Sequence, residues 1–307
     1  MSTTRWASYA AGLILTLALA ACAPLPAAVR APEATAAPTA TPTPAPTPTP
    51  AIPDPKTDPM AALLYTGRPG SFSSAEFDYV MTLEMSPADE ASAAALGDDA
   101  EQLSDVQMKI TGDGAMEVTD PGALKSKMRM AMNLDMAGQQ MAMEMIIIDQ
   151  TAWIRVGSEG EWQKVEGEQA TSAIPGGMDP ESMLETFQNA TDVVWVGDLE
   201  IDGEPVSHLR FAIDPAKLNL ASLTAMTDQE ELSEQELQEI LQDMKPVIDV
   251  WITRSNLELR RQVMAFDMIM PFPEELGASG AKLRMAMEMD MQFRNVNQPV
   301  TIEPPAE

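Results

Sequence analysis

Apolar residues fall on alternate positions in a series of long rows. Phe77, Tyr79, Met81, Leu83 and Met85 alternate with Asp78, Val80, Thr82 and Glu84. Met128, Met130, Met132, Leu134 and Met136 do the same against Arg129, Ala131, Asn133 and Asp135, and the alternation resumes after Gly138-Gln139-Gln140 at Met141, Met143, Met145 and Ile147. Met264, Phe266, Met268 and Met270 form another row, and Leu283, Met285, Met287, Met289, Met291 and Phe293 form the last. Period two is the signature of a strand with one buried face, whereas a helix would place apolar residues three and four apart. The rows therefore predict long antiparallel strands, the second and third joined as a hairpin.

Shorter strands are predicted at Thr151 to Val156, Trp162 to Val165, Val193 to Ile201, Val206 to Ile213 and Val247 to Ile252, with a turn at Gly203. Helices are few. Asp228 to Met244 carries Leu237, Ile240, Leu241 and Met244 on one stripe, and Ser233 with Glu236 matches a capping box. Pro180 to Ala190 is a second, opened by proline, and Pro59 to Tyr65 a third. The expected fold class is α+β: one large curved antiparallel sheet whose concave face a few short helices cover. So little helix over strands of about nine or ten residues would leave a cavity wherever the cover is incomplete.

The N-terminus sets the compartment. Arg5 gives a basic start, Ala10 to Ala21 is apolar, and the run ends in Leu19-Ala20-Ala21-Cys22. The run is of signal-peptide length, short of the roughly 20 residues that span a bilayer. Its end resembles a bacterial lipobox, so residues 1–22 are expected to be a lipoprotein signal with Cys22 the lipidated residue, bearing a diacylglycerol anchor and palmitate. Cys22 is the only cysteine. Once acylated, it leaves the mature chain without disulfide, thiolate metal site or cysteine nucleophile. Residues 23–59 are rich in Pro, Thr and Ala and read as a disordered tether. At about 3.1 Å per residue, the tether reaches up to ~115 Å from the membrane. The folded domain is expected over residues 60–307.

Charge narrows the partners. Residues 1–59 hold three basic and three acidic side chains, so the formal charge of −28 lies on the domain. A phosphate backbone needs a basic surface, which excludes nucleic acid. With one histidine, His208, and no free cysteine, nucleophilic dyads lack components and no enzyme is expected. His208 lies in a strand and is read as packed or surface-exposed. No cofactor is expected. Cu(I) binding through thioethers is a minor alternative for a chain with 24 methionines.

The segments ATDVVWVGDLEIDGEPVSHLRFAID (Ala190 to Asp214), VIDVWITRSNLELRR (Val247 to Arg261) and FRNVNQPVTIEP (Phe293 to Pro304) occur in an order that resembles the LppX/LprG-type bacterial lipoproteins, with their LolA-like half-barrel. The matching elements are the Glu200 to Gly203 turn, the His208 to Phe211 and Asp249 to Ile252 strands, and Asn297-Gln298-Pro299-Val300. A departure follows Ile252, where Thr253-Arg254-Ser255-Asn256 replaces the acidic, glycine-containing turn of that family. The resemblance implies a carrier that holds a lipid or lipidated molecule on a concave face closed by helices; with the lipobox, the chain is expected to be a monomer held by its lipid anchor on the extracytoplasmic face of the cell membrane.

Methionine chemistry leads to the same expectation from the residues themselves. The side chain is unbranched and polarizable and adapts to irregular apolar contents. The expected lining is Phe77, Tyr79 and Met81, then Met128, Met130 and Met132, then Met141, Met143 and Met145. Met264, Phe266 and Met268 follow, with Met285, Met287 and Met289 last and Leu237 and Leu241 on the covering helix. The competing expectation is a tethered structural or adhesive surface domain in which the same methionines fill an ordinary core. The choice of face depends on register, since one bulge would turn the neighbouring residues inward.

Overall fold

The computed structural model describes residues 51–97, 100, 107–120, 125–136, 139–167, 185–213, 244, 246–272 and 280–306. The alternating rows form strands of one sheet: β1 (Ser74–Pro87), β2 (Gln107–Asp120), β3 (Lys125–Met136), β4 (Gln139–Ile148), β5 (Thr151–Val156), β6 (Gln163–Glu166), β7 (Ala190–Ile201), β8 (Glu204–Ile213), β9 (Val247–Thr253), β10 (Leu259–Pro271) and β11 (Lys282–Arg294). Their order is β6-β5-β4-β3-β2-β1-β11-β10-β9-β8-β7, antiparallel throughout. Sheet neighbours are consecutive in the chain except where β1 meets β11 and joins the two halves, and the consecutive strands β6 and β7 lie at opposite edges. The sheet is open and curved, edged by β6 and β7, and with its few helices it is the expected α+β architecture.

Register decides which side chains share a face, and here it holds. β1 runs against β11 without a break from Glu76↔Arg294 to Pro87↔Leu283, and β10 against β11 and β3 against β4 are equally regular. Shifts fall at Val118/Asp120, at Leu259/Arg261 and in the β7–β8 pair, away from the middle of the methionine rows. All five rows therefore lie on one side.

β2 was not foreseen. Its Gly112-Asp113-Gly114 reads as a turn signal, yet both glycines are paired in the interior of a central strand. They are there because β1 opposes them with aromatics. A Cβ built at Gly112 would lie 2.6 Å from the Tyr79 ring and 2.3 Å from the Ala131 carbonyl oxygen; at Gly114 it would lie 2.5 Å from both the Phe77 ring and the Arg129 carbonyl oxygen. The two rings lie over bare backbone.

Helix α1 (Pro59–Thr66) opens as expected, with Asp58 accepting from Ala61 N–H at 3.0 Å, and Ala62 and Leu63 fully buried against the sheet. The preceding Asp54–Asp58 stretch, read as tether, forms a turn in which Asp58 N–H donates to the Asp54 carbonyl, and Lys56 sits 5.0 Å over the Trp195 ring. A second helix, α2 (Glu90–Leu96), is capped by Asp89 and was missed because its alanine-rich sequence has no strong stripe. Of the helix predicted over Pro180 to Ala190, a turn at 185–188 is described, and its Phe187 packs edge-on against Phe211 at 6.0 Å. The 228–244 helix, with Leu237 and Leu241, and Cys22 lie outside the described residues, except that Met244 is buried. Gln139 and Gln140, expected in the hairpin turn, belong to β4 and pair with Met136 and Asp135.

The opposite face is charged. Cross-strand arginine–aspartate pairs link it: Arg294 to Asp78 at 2.9 Å, Arg261 to Asp290 at 2.8 and 2.7 Å, Arg210 to Asp249 at 2.9 and 3.2 Å, and Arg284 to Asp267. Exposed pairs of this kind add little stability, but they put the cost of a one-residue slip on both faces. The turn after β9 is closed by Thr253, whose Oγ1 accepts from Glu258 N–H at 3.0 Å while Leu257 takes a φ of 58° with its side chain buried. Beyond β11, Val300 and Ile302 fold back onto the outer face over Ala115, Ile146 and Trp153.

Gly112→Ala is expected to destabilise the full chain by about 2 kcal/mol or more, in the range of overpacked sites. Gly197→Ala, at a position with open space around its Cβ, is expected to be near neutral. Urea unfolding of the two variants checks this.

Candidate functional site

The sheet carries an apolar face whose cover is uneven along the strands. At one end, aromatic rings lock together: Phe77 is 6.5 Å from Phe293, Phe72 lies edge-on to Phe293 at 6.3 Å, and Phe77 is 6.2 Å from Tyr79. Around them, Met116, Met128, Met130, Met145, Met289 and Met291 are buried with the α1 residues Ala62 and Leu63. A smaller core forms toward the other end, where Leu96 of α2 and Met244 meet Met268, Met270, Phe272 and Leu283. Between the two, Leu83, Met108, Ile110, Leu134, Met143 and Met287 are only half-buried. Register joins them: Leu83 stands opposite Met287 and Met108, Ile110 opposite Leu134, and Leu134 opposite Met141.

The expected lining residues thus share a face and divide by depth. Phe77, Tyr79, Met128, Met130, Met145, Met268 and Met289 are at most 5% exposed and belong to the cores. Met81, Met132, Met143, Met264, Phe266, Met285 and Met287 are half-buried, and Met141 is 40% exposed near the start of β4. Leu83, Met108 and Ile110 join the half-buried group without having been singled out. Leu83 was visible in the β1 row, and the even spacing of Met108, Ile110 and Met116 was the signal for β2.

On strands β1, β2, β10 and β11 this face carries no charged side chain: every Asp, Glu, Lys and Arg of their regular ladders has the other parity. Two polar groups interrupt it. The Tyr79 hydroxyl is buried with no hydrogen-bond partner, and so is Oε1 of Gln262. Burial first, and the nearby negative charge of Asp113 second, push the Tyr79 hydroxyl well above the ordinary tyrosine range, so it stays neutral and able to donate. A buried polar atom left unpaired costs about 1–3 kcal/mol.

His208 lies on the other face. It stacks on Trp251 at 4.4 Å and 12°, its Nε2 meets Asp249, and Arg261 sits 4.7 Å above the same indole. It is a packed histidine, remote from the methionine thioethers. Among the described residues no three His, Cys, Asp or Glu side chains gather to hold a metal ion, and no helix is long and apolar enough to cross a membrane.

What the fold defines is an open antiparallel sheet with one apolar face, uncharged along the regular ladders of β1, β2, β10 and β11 and half-buried in part. The chain belongs to the family whose model matches residues 74–307, described as a family of unknown function, DUF6612. No curated protein matches it. Solved structures similar to it include LprF from Mycobacterium bovis, at 12% identity and a TM-score of 0.47, covering 83% of this chain and 100% of that one. LppX from Mycobacterium tuberculosis is similar at 13% identity and a TM-score of 0.39, covering 80% and 97%. A LolA superfamily protein from Nitrosomonas europaea is similar at 8% identity and a TM-score of 0.23, covering 78% and 93%. These carry the family names to which the sequence resemblance pointed; similarities this distant say nothing of ligand.

The depth profile has a direct consequence. Met130→Ala is expected to cost about 2–5 kcal/mol, as for a buried methionine. Met287→Ala, in the half-buried stretch, is expected to cost about 1 kcal/mol or less. Chemical denaturation of both variants measures the difference.

Proposed function

We propose that the protein is an extracytoplasmic lipoprotein that binds an acyl lipid on its methionine face. In this reading residues 1–22 are the signal, Cys22 is the acylated anchor, residues 23–59 lift the domain off the membrane, and residues 60–307 hold the cargo. The observation that carries it is the half-buried apolar stretch between two packed cores, formed by residues from β1, β2, β3, β4 and β11. A filled structural core would cover Leu83, Met108, Leu134, Met143 and Met287 as fully as it covers Met130. Their partial exposure suits side chains that close on an acyl chain and part to release it.

The chemistry supports the assignment on three counts. Apolar burial gives about 25 cal/mol per Å2, so an acyl chain gains affinity from area alone, without a shaped pocket. Methionine tolerates chains of differing length and unsaturation. The strongly acidic domain resists lying on an anionic membrane, so loading and unloading occur at the end of a tether. The methionine face, not a set of titratable groups, is the working part, and the protein acts as a carrier rather than an enzyme.

Native mass spectrometry of the full chain, purified from a bacterial envelope, is expected to show a stoichiometric lipid that organic extraction releases. Met287→Glu and Leu83→Glu, at half-buried positions, are expected to lose it with the circular dichroism spectrum unchanged. A chain that arrives empty and takes up no lipid on titration overturns the carrier reading in favour of a structural surface domain.

The anchor has its own test. Cys22→Ser is expected to abolish incorporation of labelled palmitate and to move the protein from the membrane fraction to the medium or soluble envelope fraction. Unchanged membrane association would remove Cys22 as the anchor.

A further inference from the structure

The two unpaired polar atoms of the apolar face define a cargo more narrowly than its hydrophobicity does. Tyr79 on β1 and Gln262 on β10 both stand opposite Met291 of β11, so the two residues occupy one row, with their Cα atoms two strand spacings or roughly 10 Å apart. Tyr79 is 3% and Gln262 4% exposed, and neither the tyrosine hydroxyl nor the amide Oε1 has a partner. The large majority of such atoms in folded proteins are paired, with protein, water or ligand. A matched pair on one face, in one row, points to a ligand that completes both.

The geometry around Tyr79 supports this. Its ring lies over Gly112, which carries no side chain to stand in the way, and Gly112 is paired in turn with Met132. The hydroxyl is therefore held over β2, next to the row of Met132 and Met143 where the face changes from buried to half-buried. A tyrosine hydroxyl donates to a carbonyl, whereas an amide oxygen only accepts and so requires an O–H or N–H from its partner. Among the described residues, the strands framing the row present no cation to this face, so those strands offer a phosphate or carboxylate no counter-charge.

We propose that the face recognises a neutral acylglycerol that keeps a free hydroxyl, with an ester carbonyl accepting from Tyr79 and the hydroxyl donating to Gln262. The acyl chains then run along the methionine rows toward the half-buried stretch. The assignment rests on the lipid-carrier reading and narrows it to one class. A triacylglycerol has carbonyls for Tyr79 but no donor for Gln262. A phospholipid brings a charge that the face does not neutralise and that the acidic domain repels, and a hydrocarbon leaves both polar atoms unpaired.

The test is competition against a fluorescent acyl probe on the delipidated full chain. The competitors are 1,2-dioleoylglycerol, trioleoylglycerol and dioleoylphosphatidylglycerol. Dioleoylglycerol is expected to displace the probe at concentrations about tenfold lower than either of the others, the discrimination one hydrogen bond supplies. Tyr79→Phe and Gln262→Met each remove a polar atom while keeping the bulk of the side chain. Both are expected to hold or raise the thermal midpoint and to bring dioleoylglycerol down to the level of trioleoylglycerol. Equal displacement by all three lipids, or a preference that survives both substitutions, overturns the acylglycerol assignment and leaves lipid carriage standing. Failure to bind even the acyl probe overturns the carrier reading and this assignment with it.

Discussion

The pairing of β1 with β11 is the constraint on which the rest of the molecule depends. It joins the N-terminal half of the sheet to the C-terminal half, and it sets Phe77 against Phe293, Met81 against Met289 and Leu83 against Met287. A slip of one residue would turn one of the two rows to water and bring either Asp78 and Glu84 or Glu288 and Asp290 onto the apolar face. The burial of a few large side chains at the aromatic end, together with the arginine–aspartate pairs on the other side, makes that slip costly from two directions. Every property argued for the site presupposes that this register holds.

Given the register, the described residues bury the face unequally along the strands. Helix α1 reaches the end that holds Phe77 and Phe293, and α2 brings Leu96 to the opposite core. Among the described residues, the stretch between them consists of half-buried methionine, leucine and isoleucine side chains. Methionine suits a surface in that state because its flexible, polarizable side chain can repack against its neighbours or against a ligand. Valine or isoleucine in the same rows would be stiffer and would accept fewer shapes.

How far this was legible in the sequence differs from one element to the next. The alternation of β1, β3, β4, β10 and β11 is a local property with period two, so the strands and their common apolar parity could be read directly. β2 could not, because Gly112 and Gly114 exist to admit the Tyr79 and Phe77 rings from a neighbour more than thirty positions away, and that need leaves no local trace beyond a false turn signal. The division of the lining into buried Met130 and half-buried Met132 is likewise invisible, since adjacent members of one row differ only in what lies above them. Gln262 shows the same limit from the polar side. In the sequence it is one more hydrophilic residue before a strand, and only its pairing with Met291 and Val250 puts its amide on the apolar side. The Leu19-Ala20-Ala21-Cys22 pattern, by contrast, is a short linear signal outside the described residues, and its reading as a lipobox belongs to the function proposed for the chain.

The two ends of the face differ in stiffness, and that difference gives the arrangement its logic. Phe72, Phe77, Tyr79 and Phe293 pack ring against ring, with few rotamers open to them, so the atoms they carry are held in place. A hydrogen bond discriminates between ligands only when its donor is fixed beforehand, because a donor free to swing recovers part of the loss by finding water or a second partner. Methionine imposes the opposite condition, yielding to whatever chain lies against it. A molecule that must know one end of its cargo and tolerate variety in the other needs both, in that order along the strand. The aromatic end with Tyr79, followed by the half-buried methionines, provides them on a single continuous surface.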